Sequence, residues 1–382
     1  MIERYKARLV ACGHEQKFGI NFFIVFAAVI TMTSVKYIFV VAYGDVPNAY
    51  VKATTEEGVE ILLFVPEGLV STEEEITAQG AESVDEVGLL LGQSLYGLKQ
   101  VGRLWHEHLH HVLVMIGFIQ FVTNVCLYLA ADSGGMTVVG TYVDDLLVTG
   151  TDKGSVSPFF VEMGGLELKG LSVTSHFLGM SVQYDGQSGY KFGQEAAIVE
   201  MLTKFGLAKA NSVRAPIGGE DPAETDVADL LPHATKEMTP TELTVASFQS
   251  LVGSLLWIAR CTRSDMFAVH CATRRAHAPT MTDSLEACYA NRQIPEWHPI
   301  SQDNRKSVSA AVVQLNGMTV SWQCKKQSSV VLWTTETEYV AATVGGQGLL
   351  GQKELLSELS TAIQLPKDML MDNQVAIVQV RS

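Results

Sequence analysis

The sequence predicts an α+β protein of more than one domain, and three observations carry that expectation. The chain has 382 residues, of which 47% are hydrophobic, and one hydrophobic core stops growing beyond about 250–300 residues. Residues 1–215 alternate strand-like and helix-like segments. Residues 216–246 then turn to Gly, Pro, Thr and acid, including Glu220, Asp221, Glu224, Asp226 and Asp229, which marks a linker. The expected order is an α+β unit at 1–215, the acidic linker at 216–246, a helical connection at 247–290 and a smaller α/β unit at 291–382.

The apolar run from Phe22 to Tyr43 is long enough to span a membrane. Thr31, Thr33, Ser34 and Lys36 lie near its middle, and a central Lys costs roughly 2.5–3.5 kcal/mol on insertion. A buried strand-and-helix segment is therefore expected there, not a membrane span. In residues 104–118 a stripe of Trp105, Leu109, Val112, Leu113 and Ile116 has helical spacing and leaves His106, His108 and His110 largely off the buried face. His106 and His110 have the i, i+4 spacing of a metal pair, but no third ligand is near in sequence, so a solvated histidine face is favoured. Residues 247–277 read as helical, 308–333 as successive short strands, 336–342 and 352–363 as helices, and 369–372 as a final strand.

Residues 138–148 set Asp144 and Asp145 between apolar and β-branched residues. An isolated carboxylate in apolar surroundings costs several kcal/mol unless a cation compensates it, and this stretch holds no Lys or Arg. A metal ion is the natural compensation. Strand side chains alternate faces, so adjacent acids approach one site only near the tip of a hairpin. A turn made polar by two Asp residues is the alternative.

The net charge is −14, from 27 Lys and Arg against 41 Asp and Glu. That excludes a generally basic nucleic-acid binder, so a binding groove needs local cations, for which Lys6, Arg8, Lys99, Arg103, Arg274 and Arg275 are candidates. The six cysteines contain no C-x-x-C pair, which fits a reduced intracellular protein, cytoplasmic or nuclear. The amino terminus shows no secretory signal, so secretion is not expected.

Tyr142-Val143-Asp144-Asp145 resembles the catalytic hairpin of reverse transcriptases, specifically those of copia-type long-terminal-repeat retrotransposons. Further segments continue the resemblance in order: residues 6–13 (Lys6 to Gly13), 32–35, 45–50 (Asp45 to Tyr50), 94–100 (Ser94 to Gln100), 126–128, 177–179, 252–254 and 261–265. Ser321-Trp322, Lys325 to Gln327, Thr335 to Tyr339 and Asp372 to Gln374 close it. The resemblance implies palm and fingers of the reverse-transcriptase type followed by a truncated RNase H-like domain, and an RNA-directed DNA polymerase. It implies Asp45, Asp144 and Asp145 as catalytic residues and metal ligands, holding two Mg²⁺ ions, with Mn²⁺ as a substitute. Lys6, Arg8, Tyr50 and Gln100 would contact the nucleotide, and Phe177, Leu178 and Gly179 the primer. The partners are an RNA template, a DNA primer and deoxynucleoside triphosphates, without a membrane. Tyr50 would lie under the incoming sugar and exclude a 2′-hydroxyl; packing in the core is its alternative, as a solvated strand is for Lys6 and Arg8.

The chain departs from that pattern in two places. The lead-in between Met32 and Asp45 is short, and misplacing a catalytic group by about 1 Å can cost on the order of a hundredfold in rate; Pro47 also removes a backbone donor beside the catalytic strand. In the carboxy-terminal third, Glu336 and Asp372 match two RNase H carboxylates, but Ile294 stands where another is required three residues before Trp297, and Glu296 does not replace it. RNA cleavage is therefore not expected. A catalytically inactive retrotransposon relic with weak nucleic-acid binding is the alternative to an active enzyme. Gly346-Gln347-Gly348-Leu349-Leu350-Gly351 also matches a dinucleotide fingerprint with Asp372 downstream, but only ten residues follow that Asp, too few for the second half of a doubly wound sheet.

Overall fold

The computed structural model describes residues 9–38, 42–66, 69, 72–133, 135–151, 153–172, 176–185, 189–208, 244–263, 307–328, 330, 333–361, 369–371 and 373–381. Contacts divide the chain into two compact units, Met1–Thr174 and Ser175–Ser382. Both mix helices with small antiparallel sheets, so the fold is α+β. Lys6, Arg8, most of the acidic linker, Arg274, Arg275, Ile294, Glu296, Trp297 and Asp372 lie outside the described residues.

In the first unit the order is α1 (Met32–Tyr37), β1 (Ala42–Asp45), α2 (Ala49–Lys52), β2 (Leu62–Phe64), α3 (Glu73–Ala78), β3 (Gly88–Leu90), α4 (Val101–Met115), β4 (Ile119–Gln120), β5 (Leu127–Asp132), β6 (Gly135–Tyr142), β7 (Asp145–Gly150), α5 (Lys153–Glu162) and β8 (Lys169–Ser172). The short α1 begins where the Thr31 hydroxyl accepts the Ser34 amide, satisfying a donor that the first turn leaves over. A six-stranded antiparallel sheet runs β4-β5-β6-β7-β1-β8.

Period-two alternation gives this sheet two apolar faces. Tyr128, Val139 and Val148 stand in one register row across β5, β6 and β7 and pack with Trp105, Leu109 and Leu113 of α4 and with Val156 and Phe159 of α5. Leu127, Gly140 and Leu147 form the corresponding row on the opposite face. A Cβ at Gly140 would come within 2.8 Å of Ile30 and Ile38, so the chain leading into β1 covers that face closely. The predicted stripe of α4 is thus the packed face, although His106, His108 and His110 are half-buried instead of solvated. Burial first, and then the neighbouring His110, hold His106 below the usual histidine range.

In the second unit β9 (His176–Phe177), β10 (Met180–Asp185) and β11 (Gly189–Gly193) form a sheet in the order β11-β10-β9. Then come α6 (Glu195–Lys204), α7 (Val245–Cys261), β12 (Val308–Leu315), β13 (Met318–Lys326), α8 (Thr334–Glu358) and α9 (Gln374–Arg381). Met201 of α6 packs with Leu251, Leu255 and Ile258 of α7, and the Trp322 indole donates to the Ala259 carbonyl at 3.1 Å. The β12–β13 hairpin closes on Asn316 and Gly317, both at positive φ, as a type I′ turn requires.

In the second unit the structure corrects two further readings. Residues 336–342 and 352–363 are not two helices: one helix, α8, runs from Thr334 to Glu358. The glycine fingerprint therefore lies inside a helix, whereas phosphate binding needs it at a strand-to-helix turn. At Gly348 an added Cβ would stand 3.0 Å from the Gln323 amide nitrogen, so that glycine serves close packing of α8 on the ribbon. Residues 369–371 form no strand. Among the described residues no helix is long and apolar enough to cross a membrane, and Cys12 and Cys126 are thiols outside any disulfide.

If the α4 stripe holds the first unit together, Leu113→Ala, at a position with 0% exposure, should lower unfolding stability by about 2–5 kcal/mol. The exposed Val161→Ala should stay within about 0.5 kcal/mol of the parent, both read by urea denaturation.

Candidate active site

The site begins with the β6–β7 hairpin. Tyr142 and Asp145 form its last pair, so Val143 and Asp144 are the whole loop. Val143 has φ 56°. A positive φ at the first loop residue is usual for Gly and strained for a β-branched side chain. The surrounding structure holds it there: the buried Trp105 indole of α4 donates to the Val143 carbonyl at 2.6 Å, and the Val143 side chain packs against the same core. The helix stripe thereby fixes the turn that carries Asp144.

The register of β1 against β7 supplies the third acid. Asp45 stands directly opposite Asp145, and Tyr43 opposite Leu147. Paired residues share a face, so Tyr43, Asp45 and Asp145 lie on the face away from α4 and α5. The Val46 amide donates to the Asp144 carbonyl at 2.9 Å, tying the end of β1 to the turn. The short lead-in has not removed Asp45 from the sheet, and Pro47 follows the last paired residue, so the β1–β7 ladder loses no donor to it. On the other side of β1 the register shifts between Tyr43, opposite Ser172, and Asp45, opposite the exposed Lys169. Such bulges re-aim side chains.

Burial pushes the Asp145 carboxyl above the usual range; the hydroxyl of Tyr43, which donates to its Oδ1, opposes the rise, and the nearby Asp144 and Asp45 charges add to it. Burial also pushes the Tyr43 hydroxyl up, with the bond to Asp145 and the charges of all three acids reinforcing it. The Tyr50 hydroxyl is raised by burial and then by Asp144, which sets Tyr50 within electrostatic reach of the hairpin. Its ring centroid lies 5.0 Å from that of Tyr96.

Among the described residues no three acidic, histidine or cysteine side chains stand close enough to close around a metal ion. The donors still fit Mg²⁺, which takes one or two carboxylates, keeps several waters and fills its remaining positions with substrate phosphates. Asp45 and Asp145, opposite one another at a hairpin tip, are oxygen donors of that kind.

Residues 94–100 are a brace. Gln100 is 0% exposed; its Nε2 donates to the Asn21 carbonyl at 3.0 Å, and its Oε1 accepts from the Gln16 amide at 3.1 Å. The Ala11 amide donates to the Tyr96 carbonyl at 2.7 Å. Gly97, at φ 93°, lies so close to the Ala11 carbonyl, and Gly13 to the Gly97 carbonyl, that a Cβ on either would collide with backbone. Two of the cations expected in a groove are committed elsewhere. Arg103 is ion-paired to Glu56 at 2.7 Å and to Glu107 at 2.9 Å, and Lys99 donates to the Gln16 carbonyl at 3.0 Å.

Phe177, Leu178 and Gly179 belong to the second unit. Phe177 is buried, and Leu178 and Gly179, both at positive φ, form the two-residue turn between β9 and β10. Glu336 is exposed in the first turn of α8. Sequence reasoning missed Tyr43, Lys169 and the role of Trp105. The signal for Tyr43 was available, since residues two apart on a strand share a face and Tyr43 precedes Asp45 by two.

A family model described as "Reverse transcriptase (RNA-dependent DNA polymerase)" matches residues 1–219. The chain is also similar to retrovirus-related Pol polyproteins of plant transposons. It is 29% identical to that of transposon TNT 1-94 from Nicotiana tabacum, over 93% of this chain and 28% of the polyprotein. It is 26% identical to that of transposon RE1 from Arabidopsis thaliana, over 97% of this chain and 26% of the polyprotein, and 27% identical to that of RE2 from the same plant, over the same shares. The chain thus spans about a quarter of the length of these relatives.

The raised Asp145 carboxyl has a stability consequence with a definite sign. The folded protein keeps the Asp145 proton to higher pH than the unfolded chain does, so the stabilisation is full below about pH 3.8, the ordinary value, and is lost as pH rises through the folded one. Asp145→Asn keeps an acceptor for Tyr43 without the charge. Its melting temperature should exceed the parent's at pH 7, and the gain should vanish on acidification toward pH 3.

Proposed function

The chain belongs to the reverse transcriptase (RNA-dependent DNA polymerase) family, and on that premise we propose that it extends a DNA primer on an RNA template by metal-dependent nucleotidyl transfer. The observation that carries the reading is the β1–β7 register, which sets Asp45 opposite Asp145 and beside the turn that holds Asp144. In this reading Asp45, Asp144 and Asp145 hold Mg²⁺, Asp45 and Asp144 as its principal ligands and Asp145 contributing beside them. The ions supply activation of the primer 3′-hydroxyl and charge neutralisation at the triphosphate. Tyr50, near Asp144, limits the space under the sugar and favours deoxynucleotides. Lys6 and Arg8 neutralise the triphosphate, and Phe177, Leu178 and Gly179 contact the primer. Gln100 supports the nucleotide site by bracing it, because both ends of its amide are engaged by protein.

The region after the acidic linker reads as an RNase H-like remnant in which Glu336 and Asp372 leave the carboxylate cluster incomplete, so hybrid cleavage is not part of the proposal. A second reading, an inactive relic of the same family, is favoured by one observation: Ile294 stands where the RNase H pattern requires a carboxylate.

Primer extension separates the two. With a DNA-primed RNA template, deoxynucleoside triphosphates and Mg²⁺, the parent chain should extend the primer. Asp144→Asn should lose several kcal/mol of charge stabilisation, about a hundredfold or more in rate. Extension by neither protein would establish the relic. In the same assay Tyr50→Val should raise ribonucleotide incorporation relative to deoxynucleotide, and an unchanged ratio would assign Tyr50 to packing on Tyr96.

A further inference from the structure

The hydroxyl of Tyr43 meets Asp145 for a reason visible in the register. Tyr43 pairs with Leu147 and Asp45 with Asp145, so Tyr43 is the diagonal neighbour of Asp145 on the same face. Diagonal neighbours lie about 7–8 Å apart, a gap that a tyrosine spans and a short side chain does not. Both residues are half-buried, where a hydrogen bond is stronger than in water. The bond goes to Oδ1, so one oxygen of the carboxylate is engaged by protein before any cation arrives.

We propose that Tyr43 sets the cation selectivity of the acidic site by restricting Asp145 to single-oxygen ligation, a proposal that rests on the metal-dependent reading of Asp45, Asp144 and Asp145. The argument follows from how two common divalent ions take oxygen. Ca²⁺ accepts six to eight ligands at about 2.3–2.6 Å in a flexible shell that includes bidentate carboxylates, whereas Mg²⁺ requires an octahedron at about 2.0–2.1 Å, built from single oxygens and waters. A carboxylate with Oδ1 engaged suits the second ion and penalises the first. It also has its orientation fixed, and partners that orient a ligating group are worth roughly 10–100-fold in metal affinity. Tyr43 is thus a positioning residue for the metal site, and it touches neither primer nor nucleotide in this role.

Calorimetric titration of the purified chain with MgCl₂ and, separately, with CaCl₂ tests this without any activity measurement. Tyr43→Phe keeps the ring and removes the donor; its unfolding transition, compared with the parent's, establishes that it is folded. The ratio of Mg²⁺ to Ca²⁺ affinity should fall about tenfold or more in Tyr43→Phe. In an Asp145→Asn background the same change should have no further effect, because the carboxylate it orients is gone. A ratio within twofold of the parent's would overturn the proposal, as would a shift that persists in that background. If the parent binds Mg²⁺ and Asp144→Asn abolishes it, such a result removes only the role of Tyr43. If the parent binds neither ion, the metal-dependent reading falls and the proposal falls with it.

Discussion

The antiparallel register of β1 on β7 is the constraint on which the rest of the site depends. Because side chains alternate strictly, a slip of one residue would carry Asp45 to the face packed by α4 and α5, among Trp105, Leu109 and Phe159. That cluster is built of hydrophobic side chains, and the cost of an uncompensated buried carboxylate, several kcal/mol, opposes the slip. The register is held equally from the apolar side, where Leu147 lies under Tyr43 on one face and Val148 extends the Tyr128–Val139 row on the other. The position of three acids is thus decided by hydrophobic rows that contain none of them.

The hairpin tip shows the converse, a local conformation maintained by distant packing. A β-branched residue at positive φ costs on the order of 1–3 kcal/mol and persists only where its surroundings over-determine it. At Val143 they do: Tyr142 and Asp145, which flank the loop, are pinned in β6 and β7, the carbonyl is held by Trp105, and the side chain contributes to the core. The indole needs a partner for its N–H once it is buried, and the turn carbonyl needs a donor, so one hydrogen bond meets both requirements.

What was legible in the sequence follows a physical division. The α4 stripe, the β6–β7 hairpin with its two acids, and the helical reading of the stretch that holds α7 rest on periodicity within one element, and each was readable there. The glycines at 346–351 fall between the two helices read from the sequence because they resemble a loop signal, while the reason for Gly348 lies across space, in the approach of α8 to Gln323. The β12–β13 turn carried the strongest short hairpin signal, Asn316-Gly317, and could have been placed to the residue. Tyr43 and Lys169 were hidden because a diagonal neighbour and a bulge partner exist only once register is known. Lys99 and Arg103 looked available because a sequence shows charge but not the carboxylate or carbonyl that has already claimed it.

The interlocked glycines Gly13 and Gly97 have a consequence for the history of the gene. Each sits against backbone that cannot withdraw without breaking the Ala11–Tyr96 hydrogen bond, so neither position accepts any side chain, however small. Every single-nucleotide change in the first two bases of a glycine codon replaces the residue or ends the chain. In genomic copies released from selection, these two codons decay at the neutral rate with nothing to restore them. Their state across sister copies is a sharper gauge of recent purifying selection than overall identity, which is dominated by surface positions where substitution costs the fold almost nothing.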